Sequence, residues 1–372
     1  MKRALLVTII DVINLGTFLQ AWASVRLLEK NGLDVTLLYY IRKKSTCFRI
    51  GWNKYSNRPI LFRLFLTILM GVYTFLLRGR FIHFLKKRGV KLTPKAIGFD
   101  GAIKIGQGYD IYIVGSDQVW NHIHNSGIER TFLLEFVASQ SLAPKYAFSS
   151  SMGVEHLSPN EIESYRTLVD FKAISVREIS AQHELNNIGI KGVEWTLDPT
   201  LVYNGDEWYD FFKDNYLVEK LHEPYLLVYS VEGNLSLLEY YATEIAEHLK
   251  LKKYLVTVSI PITRNKLYDH VFSAATPSQF ISLMYHASFV IVSSFHGTAF
   301  SINMNKNFIT IIPNRFSTRI DSLLELVGLY ERKVVDKSAC INSLLEDIDY
   351  DKVNTILDKE RKKTKKFISK IE

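Results

Sequence analysis

Cysteine is almost missing from this chain: Cys47 and Cys340 are the only two in 372 residues. Two distant thiols cannot build a disulfide framework, and neither has a second cysteine close by to suggest structural zinc. Proline is also scarce, at nine, while 47% of the residues are hydrophobic. That balance excludes a disordered or collagen-like chain, and the length predicts two domains. The opening MKRALLVTIIDVIN has a short apolar run that ends at Asp11 and no small-residue cleavage site. It reads as a first β-strand rather than a signal peptide, and a reducing, cytoplasmic location is expected.

Acid is missing locally. From Val35 to Phe99 there is no Asp or Glu, yet this stretch holds fourteen of the 46 Lys and Arg residues. The rest of the chain therefore carries 38 acids against 32 bases. Inside the basic stretch lies LFRLFLTILMGVYTFLLRGRF, residues 61–81, whose longest uncharged run is the fourteen residues Leu64 to Leu77. That run is shorter than the about 20 residues needed to cross a hydrocarbon core. With Arg63, Arg78, Arg80, Lys86, Lys87 and Arg88 around it, the segment suits a helix lying on an anionic membrane surface. A buried helix with solvated basic ends is the alternative. Peripheral membrane contact through residues 60–95 is thus an open expectation. Nucleic acid is not an expected partner, because no helix-turn-helix, zinc-finger or RNP pattern is present.

Apolar runs and helical patterns alternate along the chain. ALLVTII (4–10) predicts a buried parallel strand, the following LQAWASVRLLEKNG a helix closed by Gly32, and DVTLLYY (34–40) a second strand. Further strands are expected at 110–114, in KYAFSSSMG and at 173–176. The pattern restarts near residue 206 with EPYLLVYSVEG, a helix LSLLEYYATEIAEHL and the strand KKYLVTVSIP. TPSQFISLMYHA predicts a helix with Thr276 as N-cap before Pro277, and a strand at 289–292 precedes another helix. The fold class expected is α/β, with two doubly wound Rossmann-like domains at 1–205 and 206–340 and a basic C-terminal helix over 341–372.

Three loops place polar residues directly after apolar strands, where open α/β sheets bind ligands. The first holds Asn14, Gly16 and Thr17; Gly16 allows close backbone approach, and a plain structural turn is the alternative. The second is Gly115-Ser116-Asp117-Gln118-Val119-Trp120-Asn121. Its carboxylate, two amides and aromatic face suit a sugar; alternatively it is a capped loop with Asp117 as N-cap and Trp120 in the core. The third is Ser293-Ser294-Phe295-His296-Gly297-Thr298-Ala299-Phe300, with His296 after a strand and Gly297 opening a helix. Histidine can serve as acid or base near neutrality, and a helix N-terminus favours an anion. Arg177 and Arg319 could each clamp a carboxylate or phosphate, or pair with an acid such as Glu178. No metal-ligand spacing is visible, and no cofactor is indicated.

These blocks, taken in order, resemble the polysaccharide pyruvyl transferase family. The resemblance runs through Asn14-x-Gly16-x-x-Leu19-Gln20-Ala21, Tyr109-Asp110, Gly115 to Asn121, Val176-Arg177-Glu178 and Asp198-Pro199-Thr200. It continues through Ser294-Phe295-His296-Gly297-Thr298-Ala299-Phe300-Ser301, then Asn314, Arg319, Leu323-Leu324 and Gly328-Leu329. It implies a two-domain GT-B-like fold that transfers pyruvate from phosphoenolpyruvate, as donor substrate, onto two hydroxyls of a sugar. The acceptor expected is a surface polysaccharide (an exopolysaccharide, for instance) or its lipid-linked precursor. By this resemblance His296 is the candidate general acid and Arg177 a candidate ligand of the donor's carboxylate or phosphate. Apart from the resemblance, the loop's own chemistry makes Asp117 the candidate for activating or orienting the acceptor hydroxyl, with Ser116, Gln118, Trp120 and Asn121 around the sugar and Asn14, Gly16 and Thr17 on the acceptor side. Some members carry an arginine where this chain has Ser294, so Arg319, and less directly Arg315, is the expected phosphate ligand beside Ser294, His296 and Gly297.

Two other classes compete with this reading. One is a nucleotide-sugar glycosyltransferase of GT-B type, although no Glu-x7-Glu type signature is visible in the second half. The other is a non-catalytic scaffold held at a membrane by residues 60–95. Neither the acceptor sugar nor the oligomeric state is encoded in any motif.

Overall fold

Short apolar runs become the central strands of two parallel sheets, because a strand covered by helices on both faces needs side chains that tolerate burial on each. The computed structural model describes residues 1–46, 52–53, 56–138, 140–213, 223–231, 235–258, 267–312 and 318–372. Cys47, Asn314 and Arg315 lie outside the described residues.

The first unit comprises Met1–Ile13, Thr17–Thr196 and Lys366–Glu372. Its strands are β1 (Arg3–Val7), β2 (Asp34–Leu37), β3 (Tyr40–Ile41), β4 (Lys91–Leu92), β5 (Ala96–Ile97), β6 (Ile111–Val114), β7 (Lys145–Ser150), β8 (Ala173–Val176) and β9 (Glu194–Trp195). Seven of them form one sheet in the order β4-β2-β1-β6-β7-β8-β9, and β3 pairs with β5 in a small separate one. All the pairings are parallel; Leu5 lies between Thr36 of β2 and Tyr112 of β6. Helix α1 (Leu15–Lys30) ends as expected at Gly32, whose φ of +88° lets the Leu33 N–H reach back to the Leu28 carbonyl.

Helix α2 (Ile60–Lys87) is 28 residues long, twice the uncharged run read from the sequence. By length and composition alone it could cross a membrane. The charges that shortened the run do not interrupt the helix: Arg63 stacks on Trp52, and Arg78 donates to the carbonyls of Asp11 and Ser45.

The second unit comprises Asn14–Gly16 and Leu197–Lys365. Its sheet is β12-β11-β10-β13-β14-β15, built from β10 (Tyr225–Tyr229), β11 (Lys252–Thr257), β12 (His270–Ser273), β13 (Phe289–Val292), β14 (Phe308–Ile311) and β15 (Lys333–Val334). Thr276 does cap the next helix, Pro277–His286, in a reciprocal arrangement with Gln279.

The division falls at Leu197, not near residue 206, because the short helix Pro199–Val202, capped by Asp198, is tied into the second unit. The Thr200 carbonyl accepts from Asn303 and from the Trp208 indole, and the Leu201 carbonyl accepts from Arg361. Nor is the C-terminal helix (Tyr350–Ile368) a separate piece. Through Lys365 it belongs to the second unit, where the Thr364 hydroxyl oxygen accepts from the Leu197 N–H. From Lys366 it belongs to the first, where Phe367 stacks on Phe148 at 6.4 Å.

Candidate active site

In each unit the strand order reverses beside the first strand, between β1 and β6 and between β10 and β13. Helices leave in opposite directions at such a point, so the strand ends are left open to a ligand. The three candidate loops follow β1, β6 and β13, whereas Arg177 follows β8 and Arg319 lies in the helix Thr318–Val327.

In the second unit, Tyr229 of β10 pairs with Val292 of β13, and the next residues, Ser230 and Ser293, touch through their hydroxyls at 3.2 Å. Ser294 then caps the helix Phe295–Asn303 by accepting from the Gly297 N–H at 3.1 Å. This helix starts two residues earlier than expected, so His296 lies inside its first turn instead of ahead of it. Gly297 is dictated by packing, since a Cβ there would lie 2.8 Å from Cγ1 of Val292. The imidazole of His296 is buried, with Nε2 4.0 Å from Oδ2 of Asp198. Asp198 keeps its other oxygen for Thr200, accepting from N at 3.0 Å and from Oγ1 at 2.7 Å. Gly16 closes the ring's other side: a Cβ on it would meet His296 Cβ at 2.3 Å and Nδ1 at 2.4 Å. Asn14 holds that turn, its Oδ1 accepting from the Gly16 N–H at 2.9 Å and from the Tyr229 hydroxyl at 3.4 Å. Burial drives the Tyr229 phenol far above its ordinary pKa, against hydrogen bonds from the Leu15 and Gly16 backbone, so it stays protonated and donates. Arg319 lies over the Phe295 ring at 5.5 Å, which brings its guanidinium beside the residue that precedes His296.

The Asp117 loop in the first unit is a packed, hydrogen-bonded turn. Asp117 has φ +67° and a nearly enclosed carboxylate. Oδ1 accepts from Arg177 at 3.1 Å and from the Gln118 N–H at 2.9 Å, and Oδ2 from the Thr17 hydroxyl at 2.9 Å. Arg177 thus pairs with Asp117, while Glu178 takes the Ser151 hydroxyl and the Gly153 N–H. Ser116 is buried between Ser149 and Thr8: it donates to the Ser149 carbonyl, and its own carbonyl accepts from Thr8. Asn121, not Asp117, is the helix cap; it accepts from the His124 N–H and donates to Gln118 Oε1. Trp120 offers no stacking face. It is 2% exposed, edge-on to Tyr165, with its indole N–H bonded to the Phe132 carbonyl at 3.0 Å. The expectation that Trp120 faces a sugar is corrected on that ground: the ring packs in the hydrophobic core with Val119, Phe132 and Tyr165.

A buried ion pair at the end of β1 was not foreseen. Both oxygens of Asp11 accept from the Arg42 guanidinium, at 2.6 and 2.9 Å. Burial alone would raise the carboxyl pKa, but the Arg42 charge and hydrogen bonds outweigh it and hold Asp11 below its usual value. Asp198 is likewise not legible as a site residue from its Asp-Pro-Thr signature; a capping aspartate gives no sequence sign that its second oxygen faces a histidine. Among the described residues, no group of three His, Cys, Asp or Glu side chains could hold a metal.

The polysaccharide pyruvyl transferase family model matches residues 14–315, which includes every motif above up to Phe300 and Ser301. The chain belongs to that family. No curated protein matches the sequence. Among solved structures, a putative UDP-N-acetylglucosamine 2-epimerase from Listeria monocytogenes is similar at TM-score 0.56 and 12% identity, over 97% of this chain and 91% of its own. The Anabaena protein HepE, solved with UDP and glucose, gives 0.52 at 9% identity, over 100% of this chain and 98% of its own. A UDP-GlcNAc 2-epimerase from Neisseria meningitidis gives 0.51 at 10%, covering 100% and 95%. At these identities the likeness is one of fold: this pyruvyl transferase family member has the α/β, GT-B-like architecture of sugar-processing enzymes.

Proposed function

We propose that this family member is a ketal pyruvyl transferase that uses phosphoenolpyruvate and acts on a sugar of a surface polysaccharide or of its lipid-linked precursor. The observation that carries the reading is the buried His296–Asp198 pair in the first turn of a capped helix, with Arg319 stacked beside it. A proton donor beside an anion-favouring helix end and a guanidinium is the equipment needed to protonate an enol phosphate and hold its phosphate.

His296 gives a proton to the donor's methylene carbon, which becomes a methyl group and leaves positive charge on the neighbouring carbon. One sugar hydroxyl oxygen adds there and loses its proton, restoring the histidine. The second hydroxyl oxygen displaces phosphate, which leaves with the remaining proton, and a cyclic ketal results. Asp198 orients the imidazole, and Arg319 with the helix N-terminus is the phosphate ligand in place of the arginine missing at Ser294. Arg177 is oriented by Asp117 within the first unit. Because three donors already occupy the Asp117 carboxylate, we assign it positioning and not proton abstraction.

Titration calorimetry tests the donor. The proposal expects binding of phosphoenolpyruvate that Arg319→Ala weakens, and no comparable binding of UDP. Binding of UDP without phosphoenolpyruvate would instead support the glycosyltransferase reading, and would overturn this one.

A further inference from the structure

Helix α2 shows two unlike faces. At intervals of three and four, Thr67, Gly71, Thr74, Arg78, Phe81 and Leu85 are buried against the first unit. The opposite face is apolar and open to solvent over its first seventeen residues. Leu61 is 80% exposed, Phe65 61% and Leu76 59%, and Ile68, Leu69 and Val72 are about half exposed. Contiguous apolar exposure on this scale marks an interaction surface.

Charge indicates the occupant. The helix sits in a stretch of the chain without one acid, and Arg58, Arg80, Lys86, Lys87 and Lys95 are exposed at or near its ends. Beside it is a cavity of about 380 Å³, lined mainly by apolar groups such as Ile41, Gly71, Val72, Phe75 and Ile97, with Lys95 among the lining residues. Its size is that of a pocket for a small apolar ligand.

We infer that the outer face of α2 docks in the plane of an anionic lipid bilayer, with the apolar side chains in the interface, the basic ends on the headgroups and the cavity open to a lipid chain. The helix docks and does not span. Its inner stripe is fixed to the protein along most of its length, and crossing would pull the Arg78 guanidinium off two backbone carbonyls. This surface is independent of the donor chemistry, so either proposal can fail alone.

The test is co-sedimentation of the full chain with phosphatidylcholine vesicles, with and without phosphatidylglycerol. Wild type is expected to bind the anionic vesicles and be released by alkaline carbonate. The triple variant Leu61→Ser, Phe65→Ser, Leu76→Ser should bind about 100-fold more weakly, and Arg80→Gln, Lys86→Gln, Lys87→Gln should lose a similar factor and its salt dependence. All six positions are exposed, so thermal unfolding should be unchanged in both triples. No preference for anionic vesicles, or undiminished binding by the apolar triple, overturns the inference. Binding that resists carbonate would mean a spanning helix, and a dimer that the apolar triple dissociates would mean a second copy covers the face; each overturns it too.

Discussion

Replacing Asp198 with asparagine removes one unit of charge and almost nothing else. The asparagine oxygen can still accept from the Thr200 N–H and hydroxyl, so the helix cap survives. What is lost is a carboxylate 4.0 Å from Nε2 of His296, in a place where both side chains are all but excluded from solvent. At an effective dielectric constant near 20, charges at that distance interact by about 4 kcal/mol. If the ring carries positive charge when it delivers its proton, most of that figure appears in the barrier, and kcat should fall on the order of 100- to 1,000-fold. The assay is steady-state phosphate release, with stability followed by urea unfolding. Stability should change by less than about 1 kcal/mol, whereas Asp198→Ala should lose both activity and cap. A kcat for Asp198→Asn within twofold of wild type would reduce Asp198 to a structural residue.

Arg177→Ala should unfold at lower urea, by about 3–5 kcal/mol, because it leaves the enclosed Asp117 charge without its partner; a loss below about 1 kcal/mol would show that the pair is not an energetic unit. Trp120→Phe should cost about 1–3 kcal/mol of stability through the orphaned Phe132 carbonyl and leave the acceptor KM unchanged. A raised KM with unchanged stability would restore Trp120 as a sugar platform. Asp11, whose folded pKa is depressed by Arg42 below 3.8, contributes stability that is present above that value and lost as pH falls through the folded one. Acid unfolding of Asp11→Asn should therefore be less steep below pH 3.8 than that of wild type, starting from a lower stability at neutral pH; parallel curves would contradict the coupling.

The central strands β1, β6, β10 and β13 are legible because they are apolar runs of four or five residues, and the strand at 289–292 and the Thr276 cap match to the residue, whereas the two-residue strands β3, β4, β5, β9 and β15 are too short to show a pattern. Polar positions were harder to read. Residue types in the Gly115–Asn121 loop suggested a sugar, yet Ser116, Trp120 and Asn121 spend their hydrogen bonds on neighbouring backbone and side chains. Composition cannot separate a satisfied polar group from one aimed at a ligand. Helix α2 was underestimated for a related reason: counting uncharged residues ends at Arg63 and Arg78, but a guanidinium that stacks on an indole or meets carbonyls lies comfortably within a helix. The Asp198–His296 pair joins residues ninety-eight positions apart, and no local pattern announces it.

Phosphoenolpyruvate as donor and His296 as the acid that protonates it can be checked in one assay. Phosphate release from phosphoenolpyruvate, measured for wild type and His296→Ala across galactose-, mannose-, glucose- and N-acetylmannosamine-terminated lipid-linked and free acceptors, tests both most directly. Release is expected with at least one acceptor, together with a new methyl resonance from the ketal product, and both should be lost in His296→Ala. Release that persists undiminished in His296→Ala would rule out this acid, and a wild type that neither binds phosphoenolpyruvate nor releases phosphate from it would rule out this donor.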